Sequence, residues 1–328
     1  MKKTSKVYKK LVRCMTFVYV FFSVIMKKPK YRNSLIGLLS GVILFIVLTI
    51  VLVKSISHNE DDNVKAEYET LKSEFVFEST DKGDKGKPHI KNNPPSKDDN
   101  SETAVSVVDE WADIDYKNES DEPDDLWYGK INVDFEGLKA VNSDIVGWIY
   151  FEAANISYPI LYSGDNETYL RTSFDKKART AGSIFLEGEN NKYFTDKHSI
   201  IYGHNMNDKT MFGQLHLYKK DSEYYDNHQY FQLIYPDEAS GKVVKERYHV
   251  FSCKEVDADD SIYYIFDENY DNLSEFAANV IKSGNLLTQT DDIKILNADK
   301  IITLSTCSGK TGRLVVSAVR CAVCVVEQ

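Results

Sequence analysis

KIITLSTCSGKTGRLVV, residues 300–316, is the stretch from which the rest of the chain can be interpreted. Its first apolar run is typical of a buried β-strand, residues 308–312 are typical of a sharp turn, and a second apolar run follows. Cys307 stands where the first predicted strand ends, and Arg313 stands where the second begins. The stretch therefore places a thiol and a permanent cation at neighbouring strand ends.

Cys307 has two interpretations at this point. Free cysteine is among the most buried residue types, so Cys307 could be a small apolar side chain of the core. A thiol with a cation nearby also suits nucleophilic catalysis, which needs a group that stabilises the thiolate. This stretch alone leaves both interpretations open.

The composition of the chain excludes some classes of protein. The 328 residues include 42% hydrophobic side chains, enough for a sizeable core, and the net charge is −10. Nucleic-acid binding needs a concentrated basic face, which an acidic chain does not offer. The basic residues concentrate in the first 54 positions, whereas the region from about 59 to 125 is acidic. This asymmetry favours a membrane-associated start followed by a solvated spacer.

The five cysteines are too few and too irregularly spaced for a disulfide framework. Cys321 and Cys324 form a CxxC pair, which could indicate a zinc or redox site. They lie in an apolar run that is typical of a strand, so successive positions alternate between faces. No second Cys/His pair with ligand spacing accompanies them, and we expect neither a metal nor a cofactor.

Residues 34–53 (SLIGLLSGVILFIVLTIVLV) contain no charged side chain and match the thickness of a bilayer core. Basic residues precede this run and acidic residues follow it, which predicts a cytoplasmic N-terminus and an extracellular remainder. The length of the run favours an uncleaved single-pass anchor in the cell membrane over a signal peptide. Residues 1–33 form a basic segment in which Cys14 to Met26 is predicted to lie at the inner membrane surface.

Residues 54–126 are charged and polar, with few apolar residues at any period. Such a segment buries too little surface to order itself, so it is predicted to be a largely disordered extracellular linker. A short helix around Tyr68 to Phe77 remains an open alternative.

Residues 127–328 are predicted to form one folded domain that is rich in β-strands. Many strand-like runs separated by turn residues favour a closed barrel or a sandwich. Helical spacing of apolar residues predicts a helix over Asn272 to Ser283, and a short helix is expected at Asp134 to Val141. The predicted strands are Val146–Phe151, Ile156–Tyr162, Gly182–Leu186, Ser199–Tyr202, Tyr230–Tyr235, Lys245–Cys253, Lys300–Thr306 and Leu314–Val325.

His204 is the histidine whose sequence context best suits a partner for Cys307. It follows the apolar run 199–202 within Tyr-Gly-His-Asn, so it too stands at a strand end. His198 precedes the same run among charged residues and is predicted to be a solvated surface residue. His216 is placed in a short helix, Met211 to Tyr218.

Together these motifs resemble the sortases of Gram-positive bacteria, membrane-anchored cysteine transpeptidases built on an eight-stranded β-barrel. The resemblance runs from about Tyr128 to the end and rests on Tyr-Gly-His204-Asn, Thr-Leu-Ser-Thr-Cys307 and Arg313-Leu-Val-Val. The segments NSDIVGWI (142–149), DNETYL (165–170) and GSIF (182–185) resemble class B in particular. One departure is Ser308-Gly309, where class B enzymes often carry an acidic residue after the cysteine, and the following loop is short.

The resemblance implies a role for each residue of the motifs. Cys307 would be the nucleophile, His204 the general acid and base, and Arg313 the donor to the oxyanion or substrate. Weaker substrate-binding candidates are Ser305, Thr306, Asn166 and Leu170.

The resemblance implies cleavage of a C-terminal sorting signal after Thr through a thioacyl intermediate on Cys307. The surface protein would then be joined to an amine of peptidoglycan or of another surface protein. Two alternatives stay open: a hydrolytic cysteine peptidase with the same three residues, and a non-enzymatic, membrane-tethered scaffold or adhesin in which Cys307 is inert.

Overall fold

The computed structural model describes residues 29–78, 127–219, 222–283, 295–297, 299–308 and 312–327. The chain divides into two compact units, residues 1–63 and residues 64–328, and each is described by itself. The predicted interfacial segment Cys14–Met26 lies outside the described residues, as does most of the predicted linker, residues 79–126.

A long helix, α1 (Pro29–Phe75), begins in the first unit and contains the run 34–53. Within the part of the chain that the structure describes, no helix is both long enough and apolar enough to cross a membrane. The transmembrane span stays a prediction.

The second unit is organised around a closed barrel of eight strands. Its strands are β3 (Ile145–Phe151), β4 (Ser157–Leu161), β5 (Ile184–Leu186), β6 (His198–Tyr202), β7 (Tyr230–Asp237), β8 (Lys242–Val256), β9 (Ile301–Ser308) and β10 (Gly312–Glu327). Their order around the barrel is β10-β8-β7-β3-β4-β5-β6-β9, and pairing of β9 with β10 closes the ring. This confirms the predicted closed, eight-stranded, β-rich fold.

Each of the eight strand-like runs in the sequence coincides with one strand of the barrel. The largest differences are in β8 and β10, which extend beyond the predicted runs at both ends and pair along almost their whole length. The helices of this unit are short: α2 (Phe135–Val141), α3 (Ser222–Asn227) and α4 (Leu273–Lys282). α2 and α4 lie at two of the predicted helix positions, Asp134–Val141 and Asn272–Ser283.

Alternating residues of β9 and β10 face two different apolar clusters. Ile302 and Leu304 of β9 pack in the main core, together with the large aromatic side chains of the barrel. Ile301 instead packs in a second cluster with α4 and its flanking loops. The described residues between β8 and β9 therefore cover one face of the sheet, since side chains along a strand alternate between its two faces.

The parallel pairing of β6 with β9 determines where the site can form. Tyr202, the last residue of β6, is opposite Ser305 of β9, and both strands run in the same direction. Parallel neighbours end at the same edge of a sheet, so the residues that follow β6 lie beside the end of β9. This edge carries both His204 and Cys307.

The folded unit begins at Val64, inside the segment that the sequence predicted to be linker. Val64, Tyr68 and Leu71 are buried on one face of the last turns of α1, and this spacing is that of an amphipathic helix. β1 (Val76–Glu78) follows directly and pairs antiparallel with β2 (Ile131–Val133). A short apolar stripe within an otherwise charged segment is thus enough to dock it onto the domain.

Candidate active site

Cys307 and Arg313 are direct partners across the antiparallel pair β9–β10. Residues directly opposite each other in such a pair point to the same face, with Cβ atoms about 5 Å apart. The Cys307 side chain is exposed, so the interpretation as a buried core residue is wrong. Arg313 is half-buried beside it. The guanidinium cannot lose its proton, so it is a permanent cation next to the thiol.

His204 lies two residues beyond the end of β6, at the same edge. The preceding Gly203 continues the ladder, because its N–H donates to the Ser305 carbonyl at 3.1 Å. An added Cβ at Gly203 would lie 2.4 Å from the Ile184 side chain and 2.6 Å from the Phe212 ring, so any larger residue would displace these two core side chains. The histidine is thereby delivered beside the strand that carries Cys307.

The hydrogen bond of the His204 ring identifies its free nitrogen. Nε2 lies 2.7 Å from the main-chain carbonyl of Leu170. A carbonyl can only accept, so Nε2 carries a proton and donates it. Nδ1 is then the nitrogen available to exchange a proton with a thiol or a substrate.

Leu170 and Asn166 have different surroundings. Leu170 is 40% exposed and its carbonyl anchors His204, so it borders the site. The Asn166 side chain is engaged within the protein: it donates to the Glu187 carboxylate and accepts from the Gly188 N–H at 2.8 Å.

Ser305 and Thr306, predicted to line a substrate groove, are both buried. The Ser305 hydroxyl lies 2.8 Å from the Tyr263 hydroxyl, which covers it. Thr306 points to the opposite face, and among the described residues its hydroxyl has no hydrogen-bond partner. Both faces of β9 are covered at these two positions, so neither side chain is exposed.

A tyrosine network that the sequence did not reveal lies next to Cys307. Tyr202 stacks on Tyr263 with ring centroids 6.4 Å apart and donates to the Glu187 carboxylate at 2.6 Å. Burial and the bonded Glu187 carboxylate raise the pKa of Tyr202, and burial raises the pKa of Tyr263. Both tyrosines therefore stay protonated near Arg313, and Tyr202 acts as a hydrogen-bond donor to Glu187.

Two further side chains contact the main chain of Cys307. Asn205 Nδ2 donates to its carbonyl at 3.1 Å, and His216 Nε2 is 3.0 Å from the same oxygen. Burial lowers the pKa of His216. The sequence placed His216 only in a short helix, and it lies in the 3-10 helix Gly213–Lys219.

After Cys307 the sequence differs from many class B enzymes, which carry an acidic residue there, and the structure describes only part of this region. Residues 309–311 lie outside the described part of the chain. The Ser308 hydroxyl donates to the Glu255 carboxylate, which also pairs with Lys219. A carboxylate from β8 thus stands beside the residue that follows Cys307.

His198 is not the solvated residue that the sequence predicted. It is fully buried, with Nδ1 2.6 Å from the Tyr264 carbonyl and Nε2 2.8 Å from the Thr303 hydroxyl. Burial lowers its pKa to about 4. The charged neighbours in sequence gave the wrong prediction, because the segment that covers His198 comes from a distant part of the chain.

The CxxC pair lies in β10, with Cys324 buried and Cys321 half-buried. Over the ranges that the structure describes, no group of three or more His, Cys, Asp or Glu side chains is arranged to hold a metal ion.

Comparison with known proteins gives consistent matches. A family model described as the Sortase domain matches residues 149–321. Sortase B of Listeria monocytogenes is 32% identical over 192 residues, covering 57% of this chain and 74% of that protein. Sortase B of Staphylococcus aureus is 32% identical over 188 residues, covering 56% and 73%.

Solved structures match as well. A Staphylococcus aureus sortase B–substrate complex has a TM-score of 0.50 and 31% identity, covering 57% of this chain and 84% of that one. The X-ray structure of Clostridium perfringens sortase B has a TM-score of 0.50 and 31% identity, covering 57% and 99%.

The closed barrel, the exposed cysteine and these matches define a cysteine transpeptidase. The chain belongs to the sortase family, and its relatives and structural neighbours support class B. Sortases are cell-surface enzymes that anchor surface proteins.

Proposed function

We propose that this enzyme cleaves a C-terminal sorting signal after Thr and transfers the surface protein to an amine. Cys307 is the nucleophile, His204 the general acid and base, and Arg313 the donor to the developing oxyanion. The observation that carries the proposal is the meeting of two strand ends: Arg313 is opposite Cys307, and His204 follows the strand parallel to β9.

In the first half of the reaction the Cys307 thiolate attacks the carbonyl carbon of the Thr. The C–N bond of the following peptide breaks, and His204 supplies a proton from Nδ1 to the departing amine. Arg313 donates to the oxygen that becomes negative as the carbonyl carbon turns tetrahedral. The product is a thioester between the surface protein and Cys307.

In the second half an acceptor amine attacks the thioester. His204 takes the proton that the amine loses, the new amide forms, and the Cys307 thiolate leaves. We propose an amine of peptidoglycan, or a Lys of another surface protein, as the acceptor. Leu170 borders His204 and is exposed, which makes it the best supported of the four candidate substrate-binding residues.

Membrane anchoring is the remaining part of the proposal. The uncharged run 34–53 follows a basic segment and precedes an acidic one. This pattern supports an N-terminus in the cytoplasm and a catalytic domain outside, where sorting signals and cell-wall amines are found.

The direct test is mass spectrometry of the full-length protein, in detergent, with a library of sorting peptides and candidate amines. We expect a thioester adduct on Cys307, a product joined to the amine, and the loss of both in Cys307→Ala. Peptide cleavage without amine-joined product would instead support the hydrolytic peptidase. Full activity in Cys307→Ala would contradict the proposal.

Thiol labelling at neutral pH addresses the scaffold alternative. An inert structural cysteine should resist alkylation, whereas we expect rapid modification of Cys307 that depends on His204. His204→Ala should therefore slow both labelling and peptide cleavage.

A further inference from the structure

The main chain of Cys307 lies just beyond the last hydrogen bond of the β6–β9 ladder. The last register pair is Tyr202–Ser305, and the final ladder bond runs from the Gly203 N–H to the Ser305 carbonyl. Main-chain groups two residues apart on a strand point the same way, so the Cys307 carbonyl also faces the side of β6. Beyond Gly203 the chain diverges from β9, and side-chain donors replace the main-chain donors of the ladder.

Two side chains donate hydrogen bonds to the carbonyl of Cys307, which lies beyond the β6–β9 ladder. Asn205 Nδ2 lies 3.1 Å from the oxygen and His216 Nε2 lies 3.0 Å from it. A carbonyl oxygen has two lone pairs, so both donors are accommodated at once. His216 must carry a proton on Nε2, since a carbonyl cannot donate, and both the neutral ring and the imidazolium satisfy this.

The loop that presents these donors is tightly held. Asn205 forms an isolated β-bridge with Met211, and the Phe212 N–H donates to the His204 carbonyl at 3.0 Å. Lys209 (φ 68°) and Met211 (φ 51°) adopt the left-handed region, which non-glycine residues enter only where the surroundings impose it. An added Cβ at Gly213 would lie 2.4 Å from the Met206 carbonyl, so the loop closes onto itself.

The start of the 3-10 helix is equally fixed. Leu215 and Tyr218, on either side of His216, are buried, and the Tyr218 hydroxyl donates to the His228 carbonyl at 2.5 Å. His216 is therefore brought to Cys307 by packing on both of its flanks.

We propose that Asn205 and His216 are positioning residues for the nucleophile. By holding the carbonyl of Cys307 they fix the peptide plane that follows it, and so fix the direction of Sγ toward His204 Nδ1 and Arg313. The inference rests on the proposed function, because it assumes that Cys307 is the nucleophile. Reaction geometry held to within about an ångström governs the rate of attack.

The test compares matched variants of the full-length enzyme. His216→Met removes the donor, whereas His216→Gln keeps an amide N–H near the place of Nε2. Asn205→Ala removes the second donor at an exposed position, and Asn207→Ala is its matched control in the same loop.

We expect His216→Met and Asn205→Ala each to lower the kcat of thioacyl formation about fivefold to tenfold, the range of one hydrogen bond. KM should change by less than about twofold, because neither side chain needs to touch the substrate in the ground state. His216→Gln should recover most of the rate, and the control variant Asn207→Ala should match the wild type. The double variant should fall further than either single one, with coupling between the two changes because they share one acceptor.

Two results would overturn the inference. One is wild-type kcat in both Asn205→Ala and His216→Met, which would mean that the two hydrogen bonds only end the strand and do not position the nucleophile. The other is a loss in His216→Gln equal to that in His216→Met, which would mean that the donor is irrelevant. Should His216→Met unfold, Asn205→Ala still decides, since its side chain is exposed. Failure of the proposed function is separate: it shows as full activity in Cys307→Ala.

Discussion

Arg313 owes its place beside Cys307 to strand pairing alone. The two residues are opposite each other in β9–β10, so any side chain at position 313 would point to the face of the thiol. What distinguishes arginine there is its planar fork of N–H donors, which can bond an oxyanion and a neighbouring acceptor together. Among the residues that the structure describes, its guanidinium donates to the adjacent Gly312 carbonyl at 3.3 Å, a long and weak contact that a substrate can displace.

Arg313→Lys is therefore predicted to be a severe change although it keeps the charge. We expect kcat/KM for sorting-peptide cleavage to fall about 100-fold or more, in the range seen when an oxyanion donor is lost. Thermal stability should change little, because the side chain is half-buried and makes no strong ion pair that the structure describes. Steady-state kinetics beside a melting curve would check both parts, and a lysine variant with near-normal turnover would exclude the fork as the reason for arginine.

At the residue scale the sequence predicted the three proposed catalytic residues but not the two residues that bond the main chain of Cys307. Cys307, His204 and Arg313 all stand at strand ends, which is a local pattern, and the resemblance to the sortases then implied their roles. Asn205 and His216 act through the carbonyl of Cys307, and contact between positions so far apart leaves no signal in a single sequence. The burial of Ser305 and Thr306 was equally hidden, since it depends on which strands and loops cover β9.

At the element scale, α4 and the loops around it hold the face of the sheet next to the site. His198 joins three parts of this layer, because it bonds the Tyr264 carbonyl and Thr303, whose hydroxyl lies 3.0 Å from that of Ser317. The ring also lies against Phe266 and Phe276, with centroids 5.9 and 5.0 Å away. A buried imidazole in apolar surroundings is stable only while it is neutral.

His198 makes this layer sensitive to acid. Its pKa is about 4 in the folded protein and near the ordinary 6.5 in the unfolded chain, so the unfolded state binds more protons between these values. The stability contributed by neutral His198 is complete above about pH 6.5 and is lost as the pH falls toward 4. We expect the free energy of unfolding of the wild type, relative to His198→Gln, to drop by about 3 kcal/mol across this window.

Urea unfolding of both proteins from pH 8 to pH 4 would measure this difference. Above pH 7 the difference should be constant, which serves as the internal control. A difference that stays constant down to pH 4 would show that His198 does not titrate as its burial requires.

The eight strands could be predicted from apolar runs and turn residues, but their order around the barrel could not. β6 pairs with β5 and β9, and β8 pairs with β7 and β10, and such long-range pairing depends on the whole barrel closing. The family resemblance supplied the closed, eight-stranded architecture that the run pattern alone left open between barrel and sandwich.

At the scale of the whole molecule, the folded unit is larger than composition suggests. The charged character of residues 54–126 concealed four buried side chains, Val64, Tyr68, Leu71 and Val76. Tyr68 also contacts the barrel through its hydroxyl, 3.3 Å from the Gly182 carbonyl and 3.2 Å from the Ser183 hydroxyl. Gly182 in turn lies against Leu170, because an added Cβ would be 2.6 Å from the Leu170 carbonyl that holds His204.

A fragment of residues 127–328 is therefore predicted to be less stable than a fragment of residues 64–328. Each large apolar side chain that loses its burial removes about 1.5–3 kcal/mol, and release of the ordered helix offsets part of this. We expect a net loss of about 2–5 kcal/mol in the free energy of unfolding, measured by urea denaturation at pH 7.

Substitution within the longer fragment separates docking from chain length. Tyr68→Ala combined with Leu71→Ala should lower the stability of 64–328 toward that of 127–328, while the exposed Ser73→Ala should not. Sorting-peptide turnover should fall in the same order, because the turn at Gly182 that Tyr68 contacts also supports Leu170 and, through it, His204. Equal stability of the two fragments would instead mean that the end of α1 rests on the barrel without contributing to its folding.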